Sequence, residues 1–245
     1  MNYFMYDGFR SDTAGLLVES RHTLGLPERD VEKIHVPGRH GDVLIDHGSY
    51  QNVRVSYDCA ARDNAALELL KQALTAGVGY RLLTDSFSPW QRMALCASAL
   101  DIEELLLQRA FRFTITFYCK PQRWHDRAAV VTRSGAGSLT LNRPVGATAS
   151  TPRIEIIGSG TVTLGLEGQT ITLAGLVTPP MTSGEYQWPS AVIDSEAMVC
   201  YRTSGAGVRT NIDIPQWPQF WQLVHTVSAT GGVTSIKIYP RWWCV

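Results

Sequence analysis

Residues 36–50 read Val-Pro-Gly-Arg-His-Gly-Asp-Val-Leu-Ile-Asp-His-Gly-Ser-Tyr and hold a dense set of groups able to do chemistry. His40, Asp42, Asp46 and His47 are metal-ligand types, yet their spacing matches no metal motif. Gly38, Gly41 and Gly48 lack the spacing of a phosphate cradle, and no Gly-Lys-Ser or helix start follows them. The stretch therefore reads as a solvated, shape-determining connection. Pro37 presets φ and Gly38 accepts a positive φ, while residues 43–45 form a short strand inside a projecting hairpin or loop between two longer strands.

Other chemical constellations fare no better. A nucleophile needs a base in reach and a group to orient it. No serine lies in a Gly-x-Ser-x-Gly elbow, and no cysteine carries a local catalytic signature. Glu103 and Glu104 are neighbours on a strand and point to opposite faces, so they cannot flank one bond. Asp194 and Glu196 share a face, but at a strand end such a pair is expected to be solvated. No catalysis, cofactor or metal is expected. Trp188, Trp217, Trp221, Trp242 and Trp243 crowd the second half. Burial in a core or subunit contact is the preferred reading, with sugar stacking on Trp188 and Trp221 as the alternative.

Lys plus Arg equals Asp plus Glu at 22 each, which argues against a binder driven electrostatically to nucleic acid or anionic membrane. The first 120 residues hold 28 charged side chains and the remaining 125 only 16, a drop in density without a charged tail. Cys59, Cys96, Cys119, Cys200 and Cys244 are odd in number and widely spread, so they are expected to pack as small hydrophobes in a reducing compartment. Neither a signal peptide nor a membrane-length apolar run is visible, and a soluble protein made in the cytoplasm is expected.

The elements that position these groups are mostly strands. Phe4 to Phe9 is broken by an Asp7-Gly8 turn, and residues 15–19, 28–36 and 53–57 read as strands. One helix is expected at about residues 63–76, with Asp63 as N-cap, Ala66, Leu67, Leu70, Ala73 and Leu74 on one face, and Gly77 as a left-handed C-cap. A strand at 80–84, a turn at Ser88-Pro89 and a strand at 92–100 follow. Phe111, Phe113, Ile115 and Phe117 alternate with polar residues as one face of a half-buried strand, which Lys120-Pro121 is expected to end. A shift to Ser, Gly, Ala and Thr over residues 134–150 divides the chain into domains at 1–133 and 134–245. Beyond it, strands at 154–156 and 161–166 are separated by Gly158-Ser159-Gly160, and Glu167-Gly168-Gln169 turns the chain into a hairpin with residues 170–173. Further strands are expected at 191–193, 198–201 and 235–239, which together suggest an antiparallel sandwich.

Taken in order, these motifs resemble the distal tail proteins of long-tailed bacteriophages. The resemblance is carried by Tyr6-Asp7-Gly8-Phe9, by residues 15–20, and by Pro27-Glu28-Arg29 with Val36-Pro37-Gly38-Arg39, Gly41-Asp42, Gly48 and Tyr50-Gln51-Asn52. It continues through residues 117–121 ending in Pro121, through 152–156, Gly158-Ser159-Gly160 and Ile193-Asp194-Ser195-Glu196, to Pro240-Arg241-Trp242. One departure is the segment 217–228, which lacks the family's Pro-Gly-x-Asn element. The chain also has no room for the extra carbohydrate-binding insertion of some members, so it resembles the minimal form. The resemblance implies a mainly β protein with one clear helix, in which an N-terminal ring-forming β-sandwich precedes a C-terminal galectin-like antiparallel β-sandwich. It implies a homo-hexameric ring at the virion tail tip, assembled in the bacterial host cytoplasm. The implied partners are the tail tube protein, tape-measure protein, a tail-tip lysin or hub protein, and receptor-binding or baseplate proteins, with DNA only as passing cargo and no membrane insertion. Arg39 and Asp42 are expected to make contacts within or between subunits. The rival reading is a carbohydrate-binding adhesin acting through the C-terminal sandwich.

Overall fold

Alternation of large apolar and polar residues from Phe111 to Cys119 demands a half-buried strand, and the chain forms one over Ala110–His125. The structure is a computed structural model and describes residues 1–22, 25–96, 99–106, 109–127, 129–166, 168–178 and 188–245. It divides into two compact units, Met1–Trp124 with Val245, and His125–Cys244. The first unit contains β1 (Phe4–Tyr6), β2 (Phe9–Arg10), β3 (Leu16–His22), β4 (Arg29–Ile34), β5 (Val43–Tyr50), β6 (Val53–Ala61), helix α1 (Asn64–Thr75), β7 (Arg81–Asp85), β8 (Ser88–Leu95), β9 (Ile102–Leu106) and β10 (Ala110–His125).

β6 pairs antiparallel with β10 from Phe111↔Ala61 to Cys119↔Val53, and with β3 on its other side. The order β10-β8-β7-β1-β2 completes the sheet. Strand period two then turns Phe111, Phe113, Ile115, Phe117 and Cys119 to one buried face. The Phe117 ring centroid lies 5.7, 5.0 and 6.0 Å from those of Phe4, Tyr6 and Tyr57, an aromatic cluster with the tilted and edge-on geometry that ring quadrupoles favour. Helix α1 adds Ala66, Leu67 and Leu70 to this core. Asp63 caps it, accepting from the Ala66 amide at 2.9 Å. The first hairpin turns on Asp7 and Gly8 at φ +48° and +86°, the paired left-handed residues of a type I′ turn.

Three expectations for this unit are corrected. Gly77 is not left-handed: the helix ends on Ala76 in right-handed geometry, while the Thr75 hydroxyl donates to the carbonyls of Lys71 and Gln72. The turn lies at Ser86-Phe87 instead of Ser88-Pro89, because Asp85 Oδ1 accepts from the amides of Phe87 and Ser88 at 2.9 and 3.1 Å. Pro89 is then carried inside β8, next to a register shift in the β7 ladder, and β8 ends at Leu95. Of the strand expected at 92–100, residues 97 and 98 lie outside the described residues. Pro121 does not end β10. It follows the last pair of the β6 ladder, Cys119↔Val53, so the missing donor ends one pairing while the strand runs on to His125.

The second unit contains β11 (Val131–Ser134), β12 (Gly137–Asn142), β13 (Ala149–Ser150), β14 (Arg153–Leu166), β15 (Gln169–Leu176), β16 (Ala191–Asp194), β17 (Val199–Thr203), β18 (Arg209–Asn211), β19 (Val224–Tyr239) and β20 (Trp242–Cys244). β14 and β19 form its spine, with β15 and β16 beside β14, and β11 and β12 beside β19. Ile154, Ile156, Val162, Leu164, Ile236 and Ile238 are fully buried along them. Gly158-Ser159-Gly160 does not separate two strands. β14 stays continuous, and the register to β19 shifts there by bulging. Opposite lie Gly231 and Gly232, where a Cβ on Gly232 would come within 1.8 Å of the Ser159 carbonyl oxygen and one on Gly158 within 2.3 Å of the Gly232 oxygen. The glycines permit a backbone approach that any side chain would block. For the same reason β19 begins at Val224 and not at 235. β14 and β15 form the expected hairpin, with Glu167 of its turn outside the described residues.

Cys59, Cys119, Cys200 and Cys244 are buried and Cys96 half-buried, all as free thiols. Burial pushes Cys59 and Cys119 up to about 12 and Cys200 up to about 11, which suppresses the thiolate. In the native protein, an aromatic disulfide reagent at mildly alkaline pH is therefore expected to label Cys96 first, with the buried thiols reacting only on unfolding. Gly232→Ala is expected to destabilise by about 2–3 kcal/mol in urea unfolding. Gly25→Ala, whose Cβ meets no atom within 4 Å, should shift it by less than about 0.5 kcal/mol.

Candidate interaction surfaces

β4 and β5 form a two-stranded sheet of their own, and among the described residues neither has a second strand as neighbour. Glu32↔Ile45 and Ile34↔Val43 face one way, while Val31↔Asp46 and Lys33↔Leu44 face the other. Ile34, Leu44, Ile45 and Tyr50 are exposed, Leu44 by 63%. The connection is a turn in which the Arg39 amide donates to the Val36 carbonyl at 3.2 Å, with Gly38 at φ +81° behind Pro37, the arrangement of a type II turn. Gly41 and Gly48 are also left-handed, at φ +80° and +71°. Gly48 belongs to a bulge opposite Arg29 and Val31, where its amide donates to Asp46 Oδ1 at 2.9 Å. The strand expected at 43–45 thus runs on to Tyr50, because the bulge lets it pass Gly48 without ending.

Three of the four ligand-type residues, Asp42, Asp46 and His47, are drawn into separate pairs. Asp46 takes Arg29 at 2.5 Å, which holds its carboxyl below the usual range, and Arg29 also lies over the Tyr50 ring at 5.6 Å. His47 lies 3.9 Å from Glu32, and Asp42 lies 3.4 Å from His35. Among the described residues no group of three His, Cys, Asp or Glu is placed to hold a metal. Arg39 and Asp42 are both exposed near the hairpin tip, and no contact joins their side chains among the described residues.

A serine, a histidine and an aspartate do meet elsewhere, in a cluster that no sequence spacing announces. Ser20 Oγ lies 3.0 Å from His22 Nε2 and donates to Asp58 Oδ2 at 2.6 Å, while His22 Nε2 itself is 2.5 Å from the same Asp58 oxygen. A catalytic relay needs the serine and the acid on opposite ring nitrogens. Here both use Nε2, and Ser20 gives its proton to the carboxylate instead of to a base. Thr114 donates to Asp58 Oδ1 at 2.8 Å. Bonds from Ser20, His22 and Thr114 lower the Asp58 carboxyl to about 2, so the cluster is a hydrogen-bonded lock across β3, β6 and β10.

In the second unit, Asp194 and Glu196 are not left to solvent. Arg241 donates to both Asp194 oxygens, at 2.7 and 3.1 Å, and to Glu196 Oε2 at 3.1 Å, which Arg127 also reaches at 2.5 Å. The expectation of a solvated pair fails because the cation arrives from a distant segment. Arg241 stands at φ +50°, a conformation costly for a side-chain-bearing residue and held here by the fork of bonds. Its neighbours are fixed too: the Pro240 carbonyl accepts from Ser150 Oγ, and Trp242, 5% exposed, packs near Phe220 and His225. Trp242 is buried in a core, while Trp188 and Trp221 are 57% and 55% exposed within the single chain.

No family model matches the sequence, and no curated protein matches it by sequence. Among solved structures, the chain is similar to the Dit protein of phage SPP1, a paradigm of the hub of the adsorption apparatus in phages infecting Gram-positive bacteria. The TM-score is 0.69 at 16% identity, over 100% of both chains. The fold is therefore that of the SPP1 Dit protein from end to end. Chains of the phage P2 baseplate in its activated conformation align over 100% of this chain and 98% of theirs with a TM-score of 0.45 at 7% identity, too low to support an argument.

Arg241→Ala leaves a largely buried Asp194 without its cation and is expected to destabilise by about 3 kcal/mol in urea unfolding, with Arg241→Lys recovering only part. The Asp58 carboxyl is lowered on folding, so its contribution is present above the unfolded value of about 4 and fades as pH falls towards 2. The melting-temperature gap between the native chain and Asp58→Asn should be full at neutral pH and narrow steadily below pH of about 4. A gap independent of pH would contradict this.

Proposed function

We propose that the chain is a structural hub of a phage or prophage tail tip, a hexameric ring joining the tail tube to baseplate or host-adhesion components. The observation that carries it is the β4–β5 hairpin on a chain of this fold. Among the described residues both outer strand edges are unpaired and apolar side chains are exposed on both faces, a combination soluble folds avoid unless a partner covers it. A second copy of the chain is the occupant we assign, with Arg39 and Asp42 at the tip adding contacts between copies. The assigned division of labour gives ring formation to residues 1–133 and attachment of baseplate or receptor-binding proteins to the galectin-like residues 134–245.

The remaining parts of the reading follow from the role. A ring at the tail tip meets the tail tube protein, the tape-measure protein and a tail-tip lysin or hub protein, and lets DNA pass as cargo. A net charge of zero suits passage without retention. The role needs no catalysis and no cofactor, and it places the protein at the virion tail tip after assembly in the host cytoplasm. No described helix is long and apolar enough to cross a membrane.

Negative-stain microscopy and light scattering test this directly. The purified chain, alone or with tail-tube and tail-tip partners, is expected to form six-fold rings. Leu44→Asp with Ile45→Asp should abolish them without lowering the melting temperature, since both side chains are exposed. Arg39→Ala with Asp42→Ala should weaken them. A monomer that never assembles with partners present, or rings untouched by both double variants, would overturn the reading.

A further inference from the structure

We propose that the second unit carries a saccharide-binding groove lined by Trp221, a ligand site additional to the hub role. The groove encloses about 120 Å3 between the start of β15 and the segment 216–225, and its lining includes Gln169, Gln216, Gln219, Phe220, Trp221 and His225. Among the described residues no carboxylate, guanidinium or ammonium lines it. Neutral amides paired with an indole make a specific combination. Each glutamine amide offers two donors and an acceptor, which matches the mixed donor and acceptor character of sugar hydroxyls. The indole face offers a flat apolar surface to the C–H face of a pyranose ring.

Trp221 is 55% exposed, yet hydrogen bonds hold the segment around it. Phe220 and Ser150 exchange backbone bonds at 2.8 and 3.2 Å, and Arg143 donates through its guanidinium to the Trp221 carbonyl at 2.5 Å and through its amide to the Leu223 carbonyl at 2.9 Å. Gln169 donates to the Gln216 carbonyl at 2.5 Å, and His225 Nε2 accepts the Gln222 amide at 2.7 Å. An exposed indole on a segment fixed by six such contacts is preorganised, which lowers the ordering cost of binding. Trp188 is equally exposed but does not line the groove.

Full-length protein is titrated with N,N′-diacetylchitobiose, lactose and maltose by saturation-transfer NMR and applied to an array of neutral and N-acetylated glycans. Saturable binding of at least one saccharide is expected, with Kd on the order of 1 mM. Trp221→Ala should weaken it about tenfold or more, Trp221→Phe less, and Trp188→Ala not at all. Gln219→Ala should weaken it with an unchanged melting temperature. Absence of saturable saccharide binding, binding that survives Trp221→Ala, or a groove that captures polypeptide instead of sugar would each overturn the proposal. None of these outcomes depends on ring formation.

Discussion

Every buried backbone donor and acceptor in this chain needs a partner, and that requirement shapes the fold more than any single side chain. The long strands meet it by changing partner or by bulging where a residue cannot pair. β10 passes Pro121 after its ladder with β6 has ended, and so keeps its aromatic face continuous with the core. β14 and β19 pass their glycines by approaching closely, Gly158 to Gly232 and Gly231 to Thr161. Core packing follows from this continuity. Ile154, Ile156, Val162 and Leu164 remain on one interrupted but unbroken strand, and so stay in the same sheet.

The places where local pattern and fold agree are those where one residue type has a single physical use. Asp7-Gly8 forms a tight hairpin because both positions require positive φ, and Asp63 starts the helix because its carboxylate satisfies a free amide. The stripe from Phe111 to Phe117 was legible because period two admits only a strand. Proline and glycine were misleading because each has two uses. Pro121 ends a ladder without ending a strand, and Gly158-Ser159-Gly160 reads like a loop when its opposing glycines lie some 70 residues further on. The exposed hairpin was visible as turn chemistry, but the length of β5 depended on a bulge that only pairing with β4 reveals.

Chemistry-bearing residues show the same split between local and distant information. The pairing of Asp194 and Glu196 with Arg241 was hidden because the cation lies more than 40 positions away, although both segments stood out as motifs. Ser20, His22 and Asp58 meet only because β3 and β6 are neighbours. Their types suggest nucleophilic catalysis, but sharing one ring nitrogen turns them into a lock. A depressed carboxyl at Asp58 marks how firmly the strands are joined, and needs no reactive role to explain it.

Satisfied interiors make the unsatisfied surfaces informative. In the first unit no strand among the described residues pairs with the outer edges of β4 and β5, which lie beside Leu44 and Ile45, so a partner that covered them would supply both backbone pairing and apolar contact. A strand from another copy supplies both, whereas a small ligand supplies neither. In the second unit the Trp221 segment has the opposite character. Several of its backbone bonds are already made by Arg143, Ser150, Gln169 and His225, and the indole and amide side chains are what it offers to solvent. The two surfaces thus differ in kind: the proposed assembly draws on an open ladder, and the proposed saccharide site draws on side chains of a bonded segment.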